Sequence, residues 1–272
     1  MSPRRRPRAF GNRVCSPQKQ TERPSKSHGA VSAEGAGQPH RAAYRKESSM
    51  KKGLTEIVFI LDRSGSMGGL ESDTIGGYNA LLEKQRAEEG EAILTTVLFD
   101  DRVEILHDRM DLREVRNITR EDYYVRGCTA LLDAVGETVE RIHTAQKYAR
   151  PEDRPEKTVV VITTDGMENA SRRYTYAEVK RMVERRREAD RWEFLFLGAN
   201  IDAAAEAERF GIDRRRSARY EHDGVGTMKN FHAMGKALRE ARCAATPEAM
   251  NAAFDADVLK EVREDYAKRH KD

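Results

Sequence analysis

The polar and apolar positions alternate between two regimes from residue 56 onward. EIVFIL (56–61) and TVVVIT (158–163) are unbroken apolar runs with polar flanks. A strand covered on both faces of a parallel sheet has this composition. AILTTVLF (92–99) and WEFLFLG (192–198) predict two further strands. Between residues 99 and 103 the chain reads FDDRV, a turn that sends VEILH (103–107) back antiparallel to its predecessor. Amphipathic stretches at 73–89, 129–148 and 175–190 predict helices. The charges of the last one (Lys180, Arg181, Glu184, Arg185, Arg186, Arg187) read as a solvated face. RPEDRPE (150–156) reads as a loop. The final 70 residues predict a short helix (202–209), a strand near 216–220 and a helix at 225–242. A C-terminal helix opens at Thr246, with Pro247 in its first turn. Strands alternating with helices make an α/β protein with a doubly wound, mostly parallel sheet, one antiparallel edge strand and helices on both faces.

Composition divides the chain at residue 50. Residues 1–50 carry 11 of the 49 Lys and Arg against 3 of the 46 Asp and Glu, leaving the remainder mildly acidic. Residues 1–49 also hold five of the eight prolines and few large apolar side chains, so they read as a disordered basic tail. Met50 opens MKKGLTEIVFILD, an ordinary protein start running into a buried strand, and is expected to be the true start. A basic arm that touches nucleic acid is the competing reading of the tail. The core domain, expected over 50–245 with the C-terminal helix at 246–272, lacks the basic footprint of a nucleic-acid binder. Cys15, Cys128 and Cys243 are too few and too scattered for a disulfide framework or a thiolate metal site. No apolar run reaches the roughly 20 residues of a spanning helix, and none follows the basic start as in a signal peptide. A cytoplasmic protein with reduced thiols and no membrane role is expected.

The chemistry concentrates in Asp62-Arg63-Ser64-Gly65-Ser66, directly after the first predicted strand. Ligands of open α/β sheets bind at the carboxyl ends of strands. Asp62, Ser64 and Ser66 occupy alternate positions there, and Gly65 permits a tight turn. A carboxylate and two hydroxyls are hard oxygen donors suited to Mg²⁺, Mn²⁺ or Ca²⁺. An isolated pentapeptide of this kind is also explained by an Asx-turn without metal. Two further elements alter that balance. Thr129 precedes a predicted helix and either caps it or supplies a third hydroxyl. Asp165 ends the strand TVVVITT, on the same rim.

These residues make the chain resemble the von Willebrand factor A (vWA) family. The metal-ion-dependent adhesion site (MIDAS) of that family is a DxSxS loop, a distant Thr and a distant Asp, which match Asp62, Ser64, Ser66, Thr129 and Asp165. The resemblance covers residues 54–200 and extends to LDRSGSM (61–67), TDGMENAS (164–171) and FLGANID (196–202). These strings resemble bacterial and phage intracellular vWA proteins, some from stress or tellurite-resistance gene clusters. The resemblance implies a Rossmann-like vWA fold and a divalent ion, Mg²⁺ first, with Mn²⁺ or Ca²⁺ as alternatives. It implies that Ser64, Ser66 and Thr129 touch the ion, with Asp62 and Asp165 acting directly or through water. The implied activity is non-catalytic: an exposed Asp or Glu of a protein partner completes the coordination.

Met67, Glu168 and Asn169 are expected on the partner-binding rim. Glu168, Asn169 and Ser171 read equally well as a turn capping the next helix. Asp202 reads as a helix N-cap, Cys128 as a small buried thiol, and Gly224–Thr227 as a helix start without the Lys of a phosphate loop. The histidines, with no metal spacing, are assigned no role. Two other functions stay open. A metal-dependent phosphohydrolase would use Asp62 as nucleophile, but Ser64 stands where such enzymes place an acid. A scaffold would use the metal only for structure.

Overall fold

Six strands form one sheet in a computed structural model that describes residues 50–271. They are β1 (Lys51–Asp62), β2 (Ala92–Phe99), β3 (Val103–Asp111), β4 (Pro155–Thr164), β5 (Glu193–Gly198) and β6 (Ser217–Arg219), in the spatial order β3-β2-β1-β4-β5-β6. All neighbours run parallel except β2 and β3, the expected antiparallel edge. The expectations for residues 1–49 lie outside the described residues.

Helices cover both faces because the central strands are apolar on both. Ile57, Phe59 and Leu61 of β1 enter one core, and Val58 and Ile60 the other. The first core is closed by α1 (Glu71–Ala87), α5 (Gly224–Cys243), α6 (Pro247–Asp255) and α7 (Lys260–Arg269). The second is closed by α2 (Leu131–Tyr148), α3 (Tyr176–Asp190) and α4 (Ala203–Arg209). Local signals set several helix ends. Thr175 and Glu178 form a reciprocal capping box on α3. Asp202, Asp223 and Thr246 cap α4, α5 and α6 by accepting from backbone N–H groups.

Two sequence expectations change here. The single helix expected from Thr246 is two, because Asp257 adopts a left-handed conformation (φ 60°) between α6 and α7. That break packs α7 against α5 and β6. Arg186, grouped with the solvated charges of α3, is buried against His143 and Asp190.

The loop after β1 is anchored from its reverse side. Arg63 turns away from its neighbours, with its side chain 1% exposed, and its Nε donates to Asp100 Oδ2 at 2.8 Å. Its second terminal nitrogen reaches Glu104 at 2.5 Å, and Arg126 also donates to Asp100 at 2.7 Å. The Arg63 backbone is fixed by N–H donation to Phe99 O and by acceptance from Arg126 N. Removing one member of a buried ion pair strands the other charge, at a cost of roughly 3–5 kcal/mol. Asp100→Ala is therefore expected to lower stability in urea unfolding by about that amount. A loss below about 1 kcal/mol, the range of surface pairs, would show that the pair does not anchor the loop.

Candidate metal centre

Three loops meet at the carboxyl ends of β1 and β4, beside the point where the strand order reverses. Asp62 is the last residue of β1 and is 1% exposed. Its Oδ1 accepts from Ser64 N at 2.7 Å, the short-range turn that folds the DxSxS segment back on itself. Its Oδ2 accepts from Thr164 Oγ1 at 2.7 Å and from Asp165 N at 3.3 Å. Tyr123 donates to the Asp62 carbonyl at 2.6 Å.

The three hydroxyls gather beside this carboxylate. Ser64 Oγ lies 2.9 Å from Ser66 Oγ, and Thr129 Oγ1 donates to Ser64 Oγ at 3.0 Å. Ser64 and Thr129 are buried, while Ser66 is exposed and marks the open side. Thr129 reaches this position because Ala130, not Thr129, precedes α2, and Ala130 offers no side-chain cap. The cap comes instead from the loop after β4. Glu168 Oε2 accepts from Leu132 N at 2.8 Å, and Ser171 Oγ accepts from Asp133 N at 3.0 Å. A carboxylate is well placed at that end of a helix dipole. Asn169 Oδ1 accepts from Thr129 N at 2.9 Å, and Asn169 N donates back to Thr129 O at 3.0 Å.

Asp165, 3% exposed, completes the group from the end of β4. Asn200 Nδ2 donates to its Oδ1 at 2.6 Å, and His222 Nδ1 lies 2.8 Å from its Oδ2. Between the loops, Gly166 leaves a gap: a Cβ there would stand 2.9 Å from Thr129 Oγ1 and 3.1 Å from Ser66 Oγ.

The electrostatics of this cluster favour a cation. Burial raises the Asp62 carboxyl, opposed by its hydrogen bonds from Thr164 and Ser64. Burial likewise pushes Asp165 up to about 6, opposed by His222 and Asn200 and reinforced by the charge of Asp62. Two carboxylates that resist ionisation together are stabilised by a positive charge between them. Among the described residues no three His, Cys, Asp or Glu side chains form a metal cluster, so a bound ion would depend on the hydroxyls. The donor set fits a hard ion. The hydroxyls stand within hydrogen-bonding distance of one another, at 2.9 and 3.0 Å, close enough to share one ion.

All five residues expected at the site are therefore brought together, whereas the expected rim changes. Met67 is 3% exposed and packs inward, because the Gly-rich turn after Ser66 folds it beneath the loop. Glu168 spends both carboxylate oxygens on backbone N–H groups of α2 and of its own loop, so it braces the site. It caps α2, the preceding helix, and not the next one. Asn169 remains exposed while it ties the loop to Thr129. Cys128 is exposed rather than buried, since Thr129 takes the inward position beside it. Cys128, Asp101, Arg102, Asp133, Asn169 and Arg172 line an open groove of ≈ 660 Å³ beside Thr129. The sequence reading missed Thr164, Tyr123 and His222. Thr164 adjoins Asp165 and was legible as a strand end; Tyr123 and His222 carry no local signal.

Comparison with known proteins places the chain. A search of the curated proteins finds no match. Among solved structures the chain is similar to proximal thread matrix protein 1 from the mussel byssus, with a zinc-occupied MIDAS motif. That match has 16% identity and a TM-score of 0.49, covering 69% of this chain and 46% of that one. It is also similar to the manganese-loaded TRAP protein of Plasmodium vivax (17%, TM-score 0.47, 66% of this chain and 73% of that one). A third is a von Willebrand factor type A protein from Catenulispora acidiphila (13%, TM-score 0.47, 71% and 43%). The chain thus spans less than half the length of the mussel protein. The model of the family described as VWA domain containing CoxE-like protein matches residues 4–191, more than half of the sequence. The chain belongs to this vWA-domain family.

Proposed function

We propose that the chain is a non-catalytic, metal-dependent protein-binding module whose partner presents an exposed Asp or Glu. The observation that carries this reading is the convergence of two buried carboxylates and three hydroxyls on one rim, open at Ser66. A divalent ion held there supplies the positive charge that draws a partner carboxylate. Ser64, Ser66 and Thr129 would hold it with their hydroxyls, and Asp62 and Asp165 would balance its charge directly or through water. The hard oxygen donors support Mg²⁺, with Mn²⁺ or Ca²⁺ as alternatives.

The surroundings of these groups support binding over catalysis. A serine nucleophile needs a base within hydrogen-bond reach, and an aspartate nucleophile needs a nearby acid for the leaving group. Among the described residues the Ser64 hydroxyl meets only the hydroxyls of Ser66 and Thr129, and Ser64 itself stands where such an acid would follow Asp62. The exposed, free thiols of Cys128 and Cys243 support a reducing, cytoplasmic setting. No helix among the described residues is long and apolar enough to cross a membrane. On the sequence resemblance, the setting proposed is a bacterial stress- or tellurite-response system.

Calorimetry of the full chain with Mg²⁺ and Mn²⁺ is expected to show binding that is lost in Asp62→Asn, while circular dichroism shows the fold retained. Unchanged affinity in that variant would remove Asp62 from the site. Gly166→Ala is expected to keep the fold and weaken Mn²⁺ at least tenfold, because its Cβ crowds Thr129 Oγ1 and Ser66 Oγ. Wild-type affinity in Gly166→Ala would place the ion elsewhere. Incubation with Mg²⁺ and a generic phosphate ester is expected to give no turnover; turnover abolished by Asp62→Asn would make the chain an enzyme.

A further inference from the structure

Asp165 is gripped on both oxygens by residues from the last third of the chain. Asn200 Nδ2 donates to Oδ1 at 2.6 Å, and His222 Nδ1 stands 2.8 Å from Oδ2. Both are placed by the main chain rather than by chance side-chain approach. The parallel ladder continues beyond the strand ends: Ala199 N donates to Thr164 O, and Tyr220 N donates to Gly198 O, both at 3.0 Å. These bonds stack the loops after β4, β5 and β6, so that positions 165, 200 and 222 converge.

Each gripping residue is further constrained. Asn200 has φ 53°, a left-handed conformation that Asn tolerates better than other non-glycine residues and that fixes the turn after β5. His222 sits between buried Tyr220 and Asp223, the residue that caps α5 through Gly226 N at 2.6 Å. Its Nδ1 is buried, stands 2.8 Å from Asp165 Oδ2 and finds no other partner among the described residues. A nitrogen so placed has no structural bond to satisfy elsewhere, and the acid beside it is a carboxylate of the candidate metal centre.

We propose that Asn200 and His222 are positioning residues of the metal centre, a clamp that holds the Asp165 carboxylate in one orientation. This rests on the metal-binding reading above. A free Asp carboxylate turns broadly about χ2 and must be ordered when an ion arrives. The clamp orders it beforehand, beside Asp62. Partners of this outer kind set metal affinity by about 10–100-fold. The metal affinity of the site is thereby controlled from β5, β6 and the start of α5, outside the loops that carry the hydroxyls.

The test uses the full chain as wild type, His222→Ala, His222→Asn and Asn200→Ala, each titrated with Mn²⁺ in a calorimeter and melted without metal. The expected result is a loss of Mn²⁺ affinity of about 10–100-fold in His222→Ala and Asn200→Ala, with metal-free melting unchanged. His222→Asn, whose amide nitrogen falls near the place of Nδ1, is expected to recover most of the affinity. Equal affinity in His222→Ala would overturn the clamp, and tighter binding would show that the imidazole competes with the ion. If His222→Ala does not fold, Asn200→Ala decides, since it acts on the other oxygen from a different strand end. A wild type that takes up no Mn²⁺ would end the metal reading and the clamp together, whereas equal uptake by wild type and variants ends the clamp alone.

Discussion

The burial of the Asp62 carboxylate at the end of the central strand is the constraint around which the site is organised. A carboxylate removed from water must be hydrogen-bonded or neutralised. Here the bonds come from Ser64 N, Thr164 Oγ1 and Asp165 N, so one buried group fixes the turn of its own loop and the end of the neighbouring strand. The hydroxyl triad then follows from position. Once Ser64 N faces Asp62, its Oγ lies beside Ser66 and meets Thr129 arriving from the loop before α2.

Arg63 explains why this charge is not cancelled internally. It is adjacent to Asp62 in sequence, yet its guanidinium is committed to Asp100 and Glu104 on the opposite side of the loop. Asp100 is in turn shared with Arg126. The acidic side chains of the β2–β3 hairpin thus absorb the nearby arginines. Asp62 receives only neutral donors, and Asp165 has His222 and Asn200 against it. This separation leaves both carboxylates without an arginine or lysine against them among the described residues.

The sheet was legible in the sequence because β1, β4 and β5 are apolar on both faces, a pattern with few alternative explanations. The five clustered residues were legible for two reasons: alternate spacing within DxSxS, and position at the ends of predicted strands. What was not legible depends on tertiary placement. Met67 lies in a Gly-rich turn whose composition suggests exposure, but it and Leu70 are both buried. The carboxylate of Glu168 looks like a rim ligand until α2 is seen to lack its own cap. The spacing of Phe254, Val258 and Val262 is that of one helix face, so the break at Asp257 between α6 and α7 had no apolar signature. His222 is distant from every motif and reaches Asp165 only through the stacking of three successive strand ends.

That stacking ties the two halves of the site to one pair of helices. α1 begins shortly after the hydroxyl loop, and α5 begins two residues after His222. The two helices are in direct contact. Gly77 of α1 leaves space for Phe231 of α5, whose ring atom would stand 2.4 Å from a Cβ at that position. Gln85 donates to Gly235 O at 3.0 Å, and the buried guanidinium of Arg242 takes the carbonyls of Glu88, Glu89 and Gly90 beyond the end of α1. A buried cation on the terminal carbonyls of a helix answers both its unpaired acceptors and its dipole. The loop bearing Ser64 and the loop bearing His222 are therefore held at a fixed separation by packing far from the rim. The carboxylate of Asp165 is thus held by the segments before α4 and α5 as well as by its own strand.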